Sequence, residues 1–261
     1  MEKPNLGRVV EEAWASYLNS ANQIADCLDK HFAHTKEGEQ LPPIRLKERN
    51  GVEFDIRRLV MQLSAVDYKL AYAASSLDYL TKEYKKREQK INQDHFADGG
   101  PVSEEVLFHI DVFFCFLSSA LDFAAWILDL VFEIELKDTH VDFVNVIRHL
   151  SHRENCDELL FKRLNEEIET GWLKEFFGYR HYVTHWSFIV PHHQWKWTAK
   201  DKTIEVTVFM LPDDPRASPV AYEKGVELTR YCEEVLTNTL NTISEVFGQV
   251  LSQIPDAYTR T

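Results

Sequence analysis

Apolar residues recur at helical spacing along most of this chain. The longest run steps by three and four residues within 54–94, through Ile56, Leu59, Leu63, Val66, Leu70, Ala73, Leu77, Leu80 and Tyr84. A seam of this length needs a long partner helix. We therefore predict long, near-antiparallel helices over 54–94, 103–135 and 219–253, preceded by an amphipathic helix over 7–33.

The predicted helix over 103–135 is apolar on two faces. One face carries Leu107, Ile110, Phe114, Leu117, Leu121, Ala124, Leu128 and Val131, and the opposite face carries Val112, Phe113, Phe116, Phe123 and Trp126. A helix that is apolar all round is usually buried on all sides. We expect it to be the central helix, with a core that includes Ile56, Leu63, Leu70, Leu77, Leu117, Leu121, Leu128, Leu240 and Phe247.

The pattern changes in the second half of the chain. Shorter helices are predicted at about 140–151, 156–169 and 171–185. Residues Thr203–Met210 then alternate strictly between polar and apolar, which indicates a strand. We predict a β-hairpin over about 186–211. The expected fold is thus all-α in the main: one domain over residues 1–261, a bundle of long antiparallel helices with a small inserted hairpin.

Composition and charge narrow the classes of function. The formal net charge is −13, which disfavours broad, non-specific DNA binding because such binding depends on Lys and Arg at phosphates. The apolar stretch Val112–Leu121 falls short of the ~20 residues that span a bilayer, and the N-terminus lacks the apolar region of a signal peptide. We expect a cytoplasmic protein with no membrane partner.

The four cysteines, Cys27, Cys115, Cys156 and Cys232, show no C-x-x-C spacing that would indicate a zinc ribbon or a redox pair. Cys115 and Cys232 fall in apolar helical patterns and are expected to be small core residues. We therefore expect no metal and no other cofactor.

One segment has a different character from the rest of this acidic chain. Residues 172–200 contain four of the six tryptophans, four histidines, and four Lys or Arg residues against a single acidic residue, Glu175. Cations and aromatic rings together suit phosphate contact and base stacking. The candidate nucleic-acid contacts are Lys174, Trp186, Trp195, Lys196 and Trp197. The alternative is a Trp-rich hairpin that covers one end of the bundle.

Within this segment lies Gly178-Tyr179-Arg180-His181-Tyr182-Val183-Thr184-His185. An Arg, four residues and a His on a helix resemble the signature motif of the HEPN superfamily. Residues Phe116–Asp122 also resemble the small-residue and Leu-Asp pattern of some HEPN families. The residue after the Arg is commonly Asn or Asp in that superfamily, and His181 stands there in this chain. The hairpin after the motif departs from the minimal four-helix unit.

The resemblance implies RNA as a ligand, a homodimer that brings two motifs into one cleft, and a metal-independent endoribonuclease or an RNA-binding protein. At family level it also implies a toxin or defence role with an antitoxin or other protein partner. The implied catalytic residues are Arg180 and His185, supported by His181 and Asp122. The chemistry suits them, because His exchanges protons near neutral pH and Arg binds phosphate in a bidentate manner. We expect Asp122 to pair with Arg180 or a histidine, or else to hydrogen bond to a neighbouring helix.

Two other functions fit the same residues. His181 and His185, four positions apart on a helix, could hold a metal ion in a metal-dependent hydrolase, although no H-E-x-x-H or E-x-x-H pair accompanies them. A non-enzymatic helical module for dimerisation or docking would use the long apolar seam instead.

We expect Asp111 and His109 to be ordinary polar breaks in their helix. Arg180 could also form a structural ion pair, and His185 could be a partly buried, hydrogen-bonded histidine.

Overall fold

A computed structural model describes residues 7–33, 45–47, 53–94, 102–134, 136, 141–153, 158–198 and 203–253. Helices dominate this part of the chain: α1 Arg8–Ala33, α2 Ile56–Asp94, α3 Glu104–Phe132, α4 Phe143–Leu150, α5 Glu158–Glu169, α6 Trp172–His185 and α7 Leu228–Gln253. The strands are β1 Arg45–Lys47, β2 Glu53–Asp55, β3 His192–Thr198 and β4 Thr203–Met210. The fold is therefore mostly α-helical, as the periodicity of the sequence predicts.

The strands form two small antiparallel pairs. Strands β3 and β4 pair from Thr198 opposite Thr203 to His192 opposite Met210, within the range predicted for the hairpin. The intervening residues 199–202 lie outside the described residues. Strands β1 and β2 also pair antiparallel, although no strand was predicted in this stretch. Three residues per strand are too few for an alternating pattern to emerge.

The contacts divide the chain into two compact units. Unit 1 comprises Met1–Val10, Leu70–Ser118 and Glu175–Leu236, and unit 2 comprises Glu11–Lys69, Ser119–Lys174 and Thr237–Thr261. In unit 1 the ring of Phe114 lies 5.9 Å from that of Phe176, 5.7 Å from Tyr179 and 6.4 Å from Tyr231, between ring centroids. In unit 2, Tyr17 lies 6.0 Å from Phe247, and Phe132 lies 6.0 Å from Phe161. Each unit thus has its own aromatic core.

Most of the predicted core is confirmed. The buried members are Leu70, Leu77, Leu117, Leu121, Leu128, Leu240 and Phe247. Leu63 is only half-buried, so its predicted burial is wrong. At about 100° per residue, Leu63 is rotated about 40° from the line of Leu59 and Leu77, both of which are buried. The side chain of Ile56 lies outside the described residues.

Helix α3 is less uniformly buried than predicted. Its main apolar stripe is buried from Ile110 onward, as is Phe113, but Leu107 is only partly buried. On the opposite face Val112, Phe116, Phe123 and Trp126 remain partly exposed. By length and composition α3 could cross a membrane: its most apolar window has a mean hydropathy of 1.7, and 44% of that window is buried inside the protein. The core helix of a soluble protein passes the same test, so this property does not indicate a membrane span.

The last helix begins later than predicted, at Leu228 instead of residue 219. The preceding loop is held by its own backbone bonds, from the Leu211 N–H to the Val226 carbonyl and from the Asp213 N–H to the Ala221 carbonyl, both at 2.8 Å. The Glu227 carboxylate then accepts the Thr229 N–H at 2.7 Å. A side chain that binds the first free N–H groups fixes where a helix starts.

Candidate nucleic-acid site on helix α6

Helix α6 is anchored by its inward face in unit 1. The ring of Phe176 packs against Phe114, and the buried hydroxyl of Tyr179 donates to the Pro212 carbonyl at 2.6 Å. Arg180 follows Tyr179 directly, so its side chain leaves the helix beside this core and is half-buried. The anchored face therefore holds the motif helix in place while Arg180 stays partly accessible.

The Cys115 thiol lies close to Thr184, Arg180 and Asp111, all in unit 1. Burial raises the pKa of the Cys115 thiol; a hydrogen bond to Thr184 and the charge of Arg180 oppose that rise, and the charge of Asp111 adds to it. Cys115 and Asp111 stand one turn apart on α3, as Arg180 and Thr184 do on α6. We call these four residues the Arg180 cluster. Within the described part of the chain, the Arg180 guanidinium forms no ion pair, so the structural ion pair that the sequence left open as an alternative is not seen there.

Asp111 is the member of the Arg180 cluster that sequence reasoning passed over as a polar break. Its Oδ1 atom is buried and has no hydrogen-bond partner among the described residues. Burial raises the pKa of this carboxyl to about 6. A carboxylate oxygen that is buried without a partner is costly when ionised, and carboxyls with a raised pKa occur often at functional sites. Its position one turn before Cys115 on α3 was the available signal, but sequence alone does not say which helix faces that turn.

His181 and His185 project from α6 into solvent. Both side chains are exposed, and their ring centroids lie 4.7 Å apart. His185 is therefore not the partly buried histidine that the sequence left open as an alternative. Over the residues that the structure describes, no group of three or more His, Cys, Asp or Glu side chains is arranged to hold a metal ion.

His109, the other polar break considered on α3, is packed. Its ring stacks on Tyr79 at 4.0 Å between centroids, and its Nδ1 is 3.3 Å from the Ser76 hydroxyl. Burial lowers the pKa of His109, an effect that the nearby Glu105 partly opposes. These contacts account for a histidine at this position without a functional role.

Asp122 belongs to unit 2, where its Oδ1 accepts a hydrogen bond from the Phe143 backbone N–H at 3.1 Å. That bond satisfies a free N–H at the start of α4, and Asp142 binds the Asn145 N–H at 2.8 Å in the same turn. The expected hydrogen bond to a neighbouring helix is therefore present. Pairing between Asp122 and Arg180, a residue of unit 1, stays a prediction.

The structure describes the side chains of two of the five predicted nucleic-acid contacts. Lys174 is exposed on α6, and Trp186, directly after the helix, is 70% exposed. Trp195, Lys196 and Trp197 lie in β3, and their side chains are outside the described residues. Sequence reasoning missed two further exposed apolar side chains beside Trp186, namely those of Phe188 and Val190.

Comparison of the chain with protein-family models, curated proteins and solved structures finds no match.

Proposed function

We propose that this protein is an RNA-directed protein of the HEPN type that cleaves RNA without a metal ion, with Arg180 and His185 as its reacting pair. The observation that carries the proposal is the partial burial of Arg180 without a paired carboxylate. Its guanidinium is half-buried, with no carboxylate paired to it in the described part of the chain, and it lies on the same helix as the exposed His185. An unpaired guanidinium retains its hydrogen-bond donors for a phosphate.

The proposed reaction uses the imidazole of His185 and the guanidinium of Arg180. The neutral imidazole of His185 takes the proton of a ribose 2′-hydroxyl while the 2′-oxygen forms a bond to phosphorus. The bond from phosphorus to the 5′-oxygen breaks, and that oxygen leaves with a proton from water or a second acid. Arg180 balances the negative charge that builds on the phosphoryl oxygens. The products are a 2′,3′-cyclic phosphate and a 5′-hydroxyl.

The surroundings of the motif support RNA as the ligand. No Asp or Glu occurs from Phe176 to Lys200, in a chain that holds 42 acidic residues. The exposed rings of Trp186 and Phe188 follow the motif and offer apolar faces to unpaired bases. We place the activity in the cytoplasm, in a homodimer whose two motifs share one cleft, under control of an antitoxin or another protein partner.

A cleavage assay in EDTA tests the proposal. The purified protein is incubated with end-labelled RNA alongside the variants Arg180→Ala and His185→Ala. The matched controls are Arg230→Ala and His152→Ala, which replace exposed residues outside the motif. We expect cleavage by the parent chain and both controls, and a loss of about 10²–10⁴-fold in His185→Ala. Equal cleavage by all variants would trace the activity to a contaminant and remove the support for this site.

The close imidazole pair favours one second candidate, a metal-dependent hydrolase. Two His side chains one turn apart can both bind the same metal ion, and the 4.7 Å between the rings of His181 and His185 permits it. A metal site of this kind needs at least one further ligand. Among the described residues, no third His, Cys, Asp or Glu side chain joins the two histidines in a metal-binding group. EDTA distinguishes the two, because it abolishes the activity of a metal enzyme and spares that of an Arg/His enzyme.

A further inference from the structure

Unit 2 contains a cleft that none of the functions considered above uses. Its volume is about 340 Å³, within the range of small-molecule sites. Trp172 lines it at the start of α6, Arg163 lines it from α5, and α7 supplies Asn238, Asn241, Thr242 and Glu245. All these residues belong to unit 2, whereas Arg180 and His185 belong to unit 1.

The α7 residues of the cleft form one stripe. Their spacing of three, four and seven residues from Asn238 places them on one face of the helix. The amides of Asn238 and Asn241 make no hydrogen bond within the described part of the chain, so their donors and acceptors remain available. This stripe does not face open solvent. Thr242 is only 5% exposed, and the four residues line a concave space.

The charges of the cleft cancel. Arg163 forms an ion pair with Glu245, so neither charge is free for a ligand of opposite sign. A phosphate or a free carboxylate would have to compete with Glu245 for Arg163. The cleft therefore suits a neutral ligand that forms many hydrogen bonds.

We infer that this cleft binds an uncharged purine ribonucleoside of the adenosine type. An asparagine amide matches the N6 and N7 edge of adenine with one donor and one acceptor, and the cleft offers two such amides. The indole of Trp172 provides an aromatic surface for a base. The Thr242 hydroxyl and Oε1 of Glu245, the carboxylate oxygen outside the ion pair with Arg163, are suited to ribose hydroxyls.

Isothermal titration of the full chain with adenosine tests this inference. We expect saturable binding of adenosine at one site per chain. Binding of 5′-AMP should be weaker, because its phosphate would have to compete with Glu245 for Arg163. Binding of inosine should be weaker because it lacks the N6 donor. Asn241→Leu changes an exposed position and should weaken adenosine binding by about tenfold or more, as expected for the loss of a bidentate contact to a base. The matched control, Asn19→Leu, replaces an exposed asparagine on α1 and should bind as the parent does.

Circular dichroism of each variant confirms that the helices are intact. The inference is overturned if adenosine does not bind at millimolar concentration, if Asn241→Leu binds as tightly as Asn19→Leu, or if ribose alone binds as well as adenosine. The first result denies the site, the second denies the role of the amide, and the third denies recognition of the base.

Discussion

The imidazole rings of His181 and His185 lie 4.7 Å apart between centroids on successive turns of α6. Both rings are exposed and neither belongs to a larger group of metal-binding side chains in the described residues. The proposed chemistry gives the two rings unequal roles, because only His185 stands at the motif spacing from Arg180. A shared metal ion would give them equal roles.

Replacement of His181 tests this inequality. We expect His181→Ala to retain most of the RNA cleavage of the parent chain, in EDTA as in its absence, because the reacting imidazole is that of His185. Initial rates on the same labelled RNA provide the measurement. Loss of activity in EDTA that returns on addition of Zn²⁺ or Mn²⁺, with His181→Ala as damaging as His185→Ala, would favour the metal hydrolase instead.

Asp122→Ala should lower the free energy of unfolding by about 1–2 kcal/mol, because the Phe143 N–H at the start of α4 loses its acceptor. Urea unfolding monitored by circular dichroism gives the value. The control is Asp78→Ala, which removes a carboxylate that pairs with the exposed Lys82 at 2.6 Å. Exposed pairs of this kind contribute about 0.3–0.5 kcal/mol. Equal effects of the two variants would show that the bond to Phe143 contributes little.

Asp111 should make the protein less stable as the pH rises. Its folded-state pKa of about 6 lies above the ordinary value of 3.8, so the folded protein binds this proton more tightly than the unfolded chain does. The associated stability is fully present below pH 3.8 and is lost as the pH rises through about 6. Asp111→Asn should therefore unfold at a higher temperature than the parent at pH 7.5, with the difference shrinking toward pH 4.5. A difference that does not vary with pH would show that burial does not perturb this carboxyl.

Tyr179→Phe should destabilise the protein by about 1–3 kcal/mol, because the buried carbonyl of Pro212 loses its donor. Tyr222→Phe is a matched control, since its hydroxyl donates to the exposed Val190 carbonyl at 2.9 Å and water can replace it. Thermal unfolding of both variants compares the two bonds. A Tyr222→Phe variant as unstable as Tyr179→Phe would contradict the account of how α6 is anchored.

The sequence predicted the helices well where the hydrophobic period was long. Leu70 and Leu77 are buried as expected, because a sustained stripe fixes which face of a helix turns inward. Leu63 deviates because the spacing of three and four residues averages slightly below the 3.6 residues of a helical turn, so some members drift to the edge of the stripe. The start of α7 was predicted too early because the composition of residues 219–227 does not rule out a helix. The backbone hydrogen bonds that hold these residues in a loop come from residues 211–213, which the local pattern does not reveal.

The site was predictable in part. The motif itself can be read from the sequence, and its helix is present over Trp172–His185. The neighbours of Cys115 on α6 could not be read from the sequence, because the spacing of Asp111 and Cys115 on α3 does not say which helix packs against that turn. The same limit applies to Asp122, whose bond to Phe143 joins residues 21 positions apart in the chain.

The most direct test of the central claim is the chemical structure of the cleavage products. RNA incubated with the protein in EDTA is analysed by mass spectrometry, with His185→Ala and Arg180→Ala in parallel. We expect 2′,3′-cyclic phosphate and 5′-hydroxyl ends from the parent chain, and neither product from His185→Ala. Products with a 5′-phosphate, or cyclic phosphate ends that His185→Ala forms at the parent's rate, would contradict the proposal that Arg180 and His185 cleave RNA through the 2′-hydroxyl.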